Sequence, residues 1–396
     1  MNYNFDYFEV KYLFLFLTIY FIFIPFLFEI SFLSFITILI VLIGSISFMQ
    51  GYKTNKFFLL TEQKLKINSI FIGIGILFLL NDLIQGLNNL FSIRDMESYS
   101  SLYEQQDTLS LYMQIVYLSI YFIKYYLYAL IMNKNKALFY LIFLSQIMIF
   151  FNSPTRLVAL SPFIIFIIYG YYIGYIKINL FKIVIVFLSL PFLFVVLLLS
   201  RGKSDGMNYI QILENTINNL TLDNFVSILK VALESFKSFD DLTNLITTNF
   251  VHLESGIIRI IFMPISRTIW EDKPEPLARI IAKEFSPNAY DSNGGMVATI
   301  FGDAFVNGHV FGVIILLFIL GAMSKIIYNT LHKNMQINKD QRAILIMFYS
   351  NFIFHFIYYM RGFFSDLLWK TLLLVIIYFV LYKLQYFISF KNKRRF

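Results

Sequence analysis

The stretch YLFLFLTIYFIFIPFLF at residues 12–28 contains no charged side chain, and a second apolar run at residues 31–50 follows it closely. A transmembrane helix needs about 20 predominantly apolar residues, because the hydrocarbon core of a bilayer is about 30 Å thick. The first run is not a cleavable signal peptide, since Asp6 and Glu9 precede Lys11 and no small-residue cleavage site follows. These residues therefore predict the beginning of a multi-span membrane protein.

The composition of the chain supports this interpretation. Of its 396 residues, 58% are hydrophobic and 14% are charged, and the mean hydropathy is +0.70. Soluble domains average about 45–50% apolar and about 25% charged residues, so an ordinary soluble enzyme is excluded. Cysteine is absent, which also excludes disulfides, thiolate chemistry and cysteine-ligated metals.

Apolar runs of similar length recur along the chain. They predict an all-α polytopic membrane protein with about 10 transmembrane helices and one large, partly helical periplasmic loop. The expected spans are residues 12–28, 31–50, 67–87, 111–131, 137–152, 157–176, 180–200, 305–324, 342–360 and 367–388.

Basic residues set the predicted orientation. Cytoplasmic loops of membrane proteins are rich in Lys and Arg, and the loop at residues 88–110 instead carries four acidic residues against Arg94. We therefore place both termini in the cytoplasm and explain the net charge of +8 by orientation, with no nucleic-acid partner. The predicted cytoplasmic basic residues are Lys11, Lys53, Lys56, Lys64, Lys66, Lys134, Lys136, Lys177, Lys182, Lys325, Lys333, Lys339, Arg342 and Lys383, and the basic tail Lys391–Arg395.

One segment, residues 201–296, is too long and too polar to be a simple connection, and it holds half of the acidic residues. Its apolar spacing, for example at Ile210, Leu213 and Ile217, is typical of amphipathic helices on a membrane surface. The predicted organisation is thus helices one to seven in residues 1–200, a periplasmic loop in residues 201–296, and helices eight to ten with a basic cytoplasmic tail in residues 297–396.

Five cations are predicted at the periplasmic ends of the helices, where arginine is usually scarce. A guanidinium group can bind diphosphate oxygens at two points, so these residues are candidates for binding a phosphorylated lipid. The alternative is that each pairs with loop acids or lipid headgroups. The five residues are Arg156, Arg201, Arg267, Lys273 and Arg361.

A glycine-rich segment leads from the loop into the eighth predicted span. Asp303 and Asn307 lie four residues apart on one helical face, and His309 follows near the water boundary. A carboxylate at the mouth of a membrane helix is costly unless it is paired or functional. Asp303 is therefore either a catalytic group or the ion-pair partner of an arginine in helix packing.

Other polar residues favour structural roles. Asp82 and Lys124 are predicted inside spans three and four, and Asp366 and Lys370 have the spacing of an intrahelical ion pair. The four histidines are scattered, and there is no P-loop, GxGxxG, HExxH or GxSxG motif. We expect no metal and no cofactor.

The chain resembles the bacterial oligosaccharide repeat-unit polymerases, known as O-antigen polymerases or Wzy proteins. The ten-span plan with one large late periplasmic loop is similar as well. In one feature the chain departs from some members: no arginine is followed by ten residues and a glycine, the nearest analogue being Lys283 with Gly294. The residues that carry the likeness are Ser153–Arg156, Pro264–Pro274, Gly302–Gly308 with Gly312, and Tyr359–Gly362.

The resemblance implies a glycosyltransferase of the bacterial inner membrane that acts on undecaprenyl-diphosphate-linked oligosaccharides. A sugar hydroxyl of one repeat would attack the anomeric carbon of the lipid-linked polymer, and undecaprenyl diphosphate would leave. Fixed cations near the departing diphosphate would lower the barrier. Asp303, Arg267 and Arg361 are the catalytic candidates. The candidate substrate-binding residues are Arg156, Arg201, Lys273, Glu254, His252, Asn307 and His309.

The general base is not fixed by the sequence. Asp303 is the first candidate, followed by Glu254, His252 and His309. Membrane lipids are expected partners, and a separate chain-length regulator protein is a candidate partner. Two alternatives stay open: a ligase that transfers the glycan to lipid A–core, and a polytopic transporter or flippase.

Overall fold

The computed structural model describes most of the predicted helices. Every regular element in the described part of the chain is a helix. The described residues are 6–28, 30–58, 69–91, 111–150, 156–179, 238–253, 274–291, 295–297 and 299–393, with the single residues 211, 214, 218, 221, 265 and 270.

The first helix, α1, begins as Val10–Thr18, passes through a π-helical turn at Ile19–Phe23 and ends as Ile24–Phe28. Pro25 lies just after this turn. The other helices are α2 (Phe32–Gly51), α3 (Ser69–Phe91), α4 (Leu111–Met132), α5 (Lys136–Phe150), α6 (Arg156–Ala159), α7 (Ser161–Ile173), α8 (Ser238–Thr247), α9 (Leu277–Phe285), α10 (Pro287–Asp291), α11 (Thr299–Val306), α12 (His309–Lys333), α13 (Lys339–Met360) and α14 (Phe364–Lys393).

Seven helices in the described ranges are long and apolar enough to cross a membrane, which confirms a helical, multi-pass membrane protein. They lie in α1, α2, α3, α4, α12, α13 and α14, and each corresponds to a predicted span. Large apolar side chains on their outer faces are exposed, for example Phe32 and Phe311, at 78% and 77%. Lipid is the natural solvent for such surfaces.

The remaining spans differ from the prediction. The fifth predicted span is a helix of only 15 residues, α5. The sixth predicted span is divided at Leu160 into α6 and α7, and Pro162 lies in the first turn of α7. The seventh, residues 180–200, lies outside the described residues. In the loop at 201–296, the helices α8, α9 and α10 are described, and Gln211, Glu214 and Asn218 are also helical.

The chain forms two compact units, each assembled from separate segments. Unit one contains Met1–Glu62, Phe236–Ile337 and Asn351–Ile376, and unit two contains Gln63–Ser235, Asn338–Ser350 and Ile377–Phe396. Most of the predicted site residues in the described ranges belong to unit one.

Close packing of α2 against α12 forms the frame of unit one. A Cβ atom on Gly51 would collide with the Phe318 carbonyl oxygen, and one on Gly321 would collide with the Phe48 carbonyl oxygen. Glycine at both positions lets the two backbones touch, as small residues do at membrane helix interfaces. Since Gly44 faces Val313 while Gly51 faces Phe318, the two helices run parallel.

The two ends of unit one carry different contacts. At one end, which we call the Asp6 end, Lys325 bonds Glu9 and the Phe58 N–H donates to Thr330. These segments are those that the basic residues assign to one side of the membrane. The other end, which we call the Arg361 end, consists of the N-terminus of α2, the helices α8 and α11, and the turn at residues 361–363. A helix of 20 residues is about 30 Å long, so α2 separates the two ends by about that distance.

Candidate functional site

Five of the predicted site residues are described with their side chains, and all five lie in unit one: Asp303, Arg361, His252, Asn307 and His309. Arg156 is the first residue of α6, but its side chain lies outside the description. Four more predicted residues lie outside the described ranges, namely Arg201, Arg267, Lys273 and Glu254.

Asp303 is fully buried in α11, where it joins that helix to the beginning of α14. Its Oδ2 accepts the Phe364 N–H at 2.6 Å, and its Oδ1 accepts the Asn307 Nδ2 at 3.0 Å. Phe364 is the first residue of α14, and first-turn N–H groups have no partner within their own helix. Asp303 thus caps α14 from another helix. Among the described residues its hydrogen bonds are to this backbone and to Asn307, not to an arginine.

The environment of Asp303 raises its pKa to about 7 from an ordinary value of 3.8. Burial is the largest cause, because it disfavours the charged form, and the nearby Asp366 carboxylate acts in the same direction. The backbone N–H groups of Phe364 and Ser365 and the Asn307 amide oppose the shift. The carboxyl group therefore changes its charge near neutral pH, which is a property of catalytic acids and bases.

Arg361 lies in the short turn between α13 and α14, three residues before the helix start that Asp303 caps. Arg361 is half-buried, and burial lowers the pKa of its guanidinium, while the Asp241 carboxylate of α8 counteracts that effect. Tyr20 of α1 also acts on this guanidinium electrostatically. Arg361 thus joins α1, α8 and the beginning of α14 at the Arg361 end of unit one.

His252 and His309 flank α11. The His252 backbone N–H donates to the Val306 carbonyl at 3.1 Å, and the His309 ring lies 5.4 Å from the Phe305 ring. Both imidazoles are half-buried, and their Nδ1 atoms are buried with no hydrogen-bond partner among the described residues. Each therefore offers a nitrogen that could accept a proton.

The backbone around His309 is strained. Gly308 has a φ of 152° and His309 a φ of 53°, so two consecutive residues adopt conformations that are unusual for L side chains. This break separates α11 from α12, whereas the sequence predicts a single helix over residues 305–324. That prediction is wrong in its start, since the spanning helix begins at His309 and extends to Lys333.

These contacts bring Asp303, Asn307 and the 361–364 turn together, and they attach His252 to the same helix. The arrangement places a half-buried guanidinium three residues before the helix start that the Asp303 carboxyl group caps. A guanidinium can bind an anionic group, and a carboxyl group whose charge changes can respond to proton transfer.

Asp241 is a member of this cluster that our sequence analysis did not select. It is 7% exposed and lies in the first turn of α8, beside Asp240. The signal was available: two acidic residues directly precede a helical apolar pattern at Leu242, Leu245 and Ile246. Its position facing Arg361 depends on the tertiary structure.

A second buried polar cluster lies within the membrane helices of unit two. Lys124 Nζ of α4 lies 3.0 Å from Asp82 Oδ2 of α3, and both side chains are almost inaccessible. The Tyr128 hydroxyl and the Gln146 amide also donate to the Asp82 carboxylate. The two charges that the sequence placed in neighbouring spans therefore form one hydrogen-bonded ion pair.

Comparison with known proteins gives no assignment. No protein-family model, no curated protein and no solved structure matches this chain.

Proposed function

We propose that this protein polymerises undecaprenyl-diphosphate-linked oligosaccharide repeat units into a surface polysaccharide, as O-antigen polymerases do. In this proposal it is an inner-membrane glycosyltransferase with ten spans and both termini in the cytoplasm. The Arg361 end of unit one then faces the periplasm, where lipid-linked repeats are joined.

The observation that carries the proposal is the shared location of Arg361 and Asp303. A half-buried guanidinium and a carboxyl group with a pKa of about 7 lie at one end of a membrane-helix unit. A departing diphosphate needs a fixed cation, which a guanidinium can supply at two points. A lipid-linked substrate also needs a site at the membrane boundary, which this position provides.

The charge balance of the cluster indicates that further cations are required. Asp241 acts electrostatically on Arg361, and Asp366 acts on both Asp303 and Lys370. Even with Asp303 protonated, the charges of the other four groups sum to zero. A diphosphate would therefore need additional positive charge. In this proposal Arg267 and Lys273, which belong to the same unit, supply it.

The proton of the attacking hydroxyl also needs an acceptor. Asp303 is 0% exposed and both of its oxygens already accept hydrogen bonds. We therefore propose that its role is to hold the 361–364 turn in position. His252 and His309 are half-buried, and the Nδ1 atom of each has no hydrogen-bond partner among the described residues. We propose that one of them accepts the proton as the hydroxyl oxygen bonds to the anomeric carbon and the diphosphate leaves.

The glycolipid ladder of a deletion strain tests the proposal. If the gene encodes a polymerase, its deletion leaves a single repeat attached to the lipid core. Wild-type protein and the exposed-site control Lys339→Ala restore the ladder, whereas Arg361→Ala does not. A strain that instead accumulates lipid-linked polymer with nothing attached to core would identify a ligase and contradict the proposal.

The orientation has its own test, which the absence of cysteine makes simple. Thr247→Cys at the Arg361 end should react with an impermeant maleimide in cells whose outer membrane has been made permeable. Lys333→Cys at the Asp6 end should react only after the inner membrane is also opened. The reverse pattern would contradict a periplasmic site.

A transporter or flippase is the second candidate, and the Asp82–Lys124 ion pair is the observation that favours it. Ionisable residues within membrane helices often mark ion or substrate pathways. A flippase deletion would leave undecaprenyl-linked repeats inside the cell. In addition, Asp82→Asn would abolish export while Arg361→Ala would leave it intact.

A further inference from the structure

A polar depression lies at the Arg361 end of unit one, between the beginning of α2 and the exposed face of α8. Its volume is about 400 Å³, and its walls include Ile30, Ser31, Asp240, Thr243 and Asn244. Pockets for small ligands range from about 300 to 1,000 Å³, so this space has the size of one or two sugar rings.

The available polar groups of this pocket are on α8. Asp240 and Asn244 are four residues apart and therefore lie on one face, and neither side chain has a hydrogen bond to another described residue. The hydroxyls are already committed: Ser31 and Ser34 cap α2 reciprocally, and Thr243 bonds Thr37 at 3.2 Å.

The chemistry of this pair favours one class of ligand. A carboxylate accepts hydrogen bonds, whereas an amide both donates and accepts, so together they match the neighbouring hydroxyls of a polyol. None of the described residues that line the pocket is Lys or Arg, and the Asp240 carboxylate repels anions. Ile30, at 73% exposure, provides an apolar surface for the C–H face of a ring.

The two sides of α8 thus face different environments. Asp241 is buried and acts on the Arg361 guanidinium, whereas its neighbour Asp240 lines the open pocket. A ligand in the pocket would lie beside the cluster that contains the candidate phosphate-binding arginine.

We propose that the pocket formed by Ile30, Ser31, Asp240, Thr243 and Asn244 is a sugar subsite that holds an uncharged hexose or N-acetylhexosamine residue. The idea that this sugar belongs to a lipid-linked glycan rests on the proposed function. The idea that the pocket binds a sugar is independent of the proposed function.

Saturation-transfer NMR on the purified full chain in detergent tests the subsite. The probes are methyl glycosides of hexoses, 6-deoxyhexoses and N-acetylhexosamines, with glycerol phosphate as the anionic probe. We expect the signal of at least one glycoside to fall about tenfold in Asp240→Ala/Asn244→Ala, which removes two hydrogen-bonding groups. The control Thr247→Val changes an exposed residue of the same helix outside the pocket and should retain the wild-type signal.

Three results would overturn the subsite. They are the absence of any glycoside signal, glycoside signals that are equal in the wild type and in the double variant, and a glycerol phosphate signal that alone depends on Asp240 and Asn244. Asn244→Ala serves as a second variant, because Asn244 is exposed and its truncation does not disturb a core. Failure of the polymerase proposal would appear separately, as a deletion strain whose ladder is unchanged.

Discussion

Asp82 in unit two and Asp303 in unit one are both buried carboxylates, with 3% and 0% exposure, but their surroundings differ. Asp82 faces a full opposite charge on Lys124 and two further donors. Asp303 receives N–H groups from the beginning of α14 and an amide from Asn307. One carboxylate is neutralised by an ion pair, and the other is stabilised by neutral dipoles.

These different surroundings distinguish a carboxylate with a structural role, Asp82, from one whose charge responds to pH, Asp303. Removal of one member of a buried ion pair leaves an uncompensated charge, so such pairs tend to fix a structure. A carboxyl group stabilised by dipoles and opposed by Asp366 retains a pKa of about 7, so it changes charge under physiological conditions. This is the physical reason for placing the candidate site at the Arg361 end and not at the Asp82–Lys124 pair.

The largest expected effect is on the ion pair. Asp82→Ala should destabilise the protein by about 3–5 kcal/mol, because it leaves Lys124 buried without its carboxylate. Thermal unfolding in detergent measures the change. The double variant Asp82→Ala/Lys124→Ala should recover part of the loss, and a single variant as stable as the wild type would show that the pair is not structural.

The next largest effect is on activity. Arg361→Ala should slow polymer formation in isolated membranes about 100-fold, the usual effect of losing one donor to a developing anion. Arg361→Lys keeps the charge but not the two-point geometry, so its rate should lie between the two. A wild-type rate in Arg361→Ala, with normal protein levels, would remove this residue from the site.

The pH dependence of stability tests Asp303. The unfolded chain releases this proton near 3.8 and the folded chain near 7, so the folded state binds more protons between these values. Stability therefore falls as the pH rises through this window and levels off above it. We expect Asp303→Asn to remove that fall, measured by urea unfolding at a series of pH values. Parallel curves for the two proteins would contradict the assignment.

A smaller effect is expected at Asn307. Asn307→Ala removes the amide that bonds the Asp303 carboxylate, so it should cost about 1 kcal/mol. It should also raise the Asp303 pKa further, because this hydrogen bond favours the charged form. The same pH series would then show its transition moving to higher pH, and movement to lower pH would contradict the geometry.

The sequence predicted the seven membrane-length helices of the described ranges, because about 20 consecutive apolar residues have few other stable locations. It did not predict the break before His309, although the Asn307-Gly308 dipeptide is a turn signal within the predicted span. Nor could it predict that α2 and α12 would touch through Gly51 and Gly321, since that contact joins residues far apart in the chain.

The contacts of the candidate site were harder to predict than its members. Asp303 was selected as an unusual carboxylate and is buried with a raised pKa, but its partner is the backbone of Phe364, which any residue type except proline could provide. Local patterns cannot identify such a partner. The Asp82–Lys124 pair, in contrast, joins two charged side chains. It could have been expected from the sequence, since opposite charges in neighbouring spans tend to pair.

The most direct test of the central claim uses purified protein in lipid vesicles with an undecaprenyl-diphosphate-linked repeat unit from the host strain. The account predicts that longer lipid-linked glycans form, that one undecaprenyl diphosphate is released for each new glycosidic bond, and that Arg361→Ala prevents both. Movement of the unchanged lipid-linked repeat across the bilayer, with no new glycosidic bond, would contradict it.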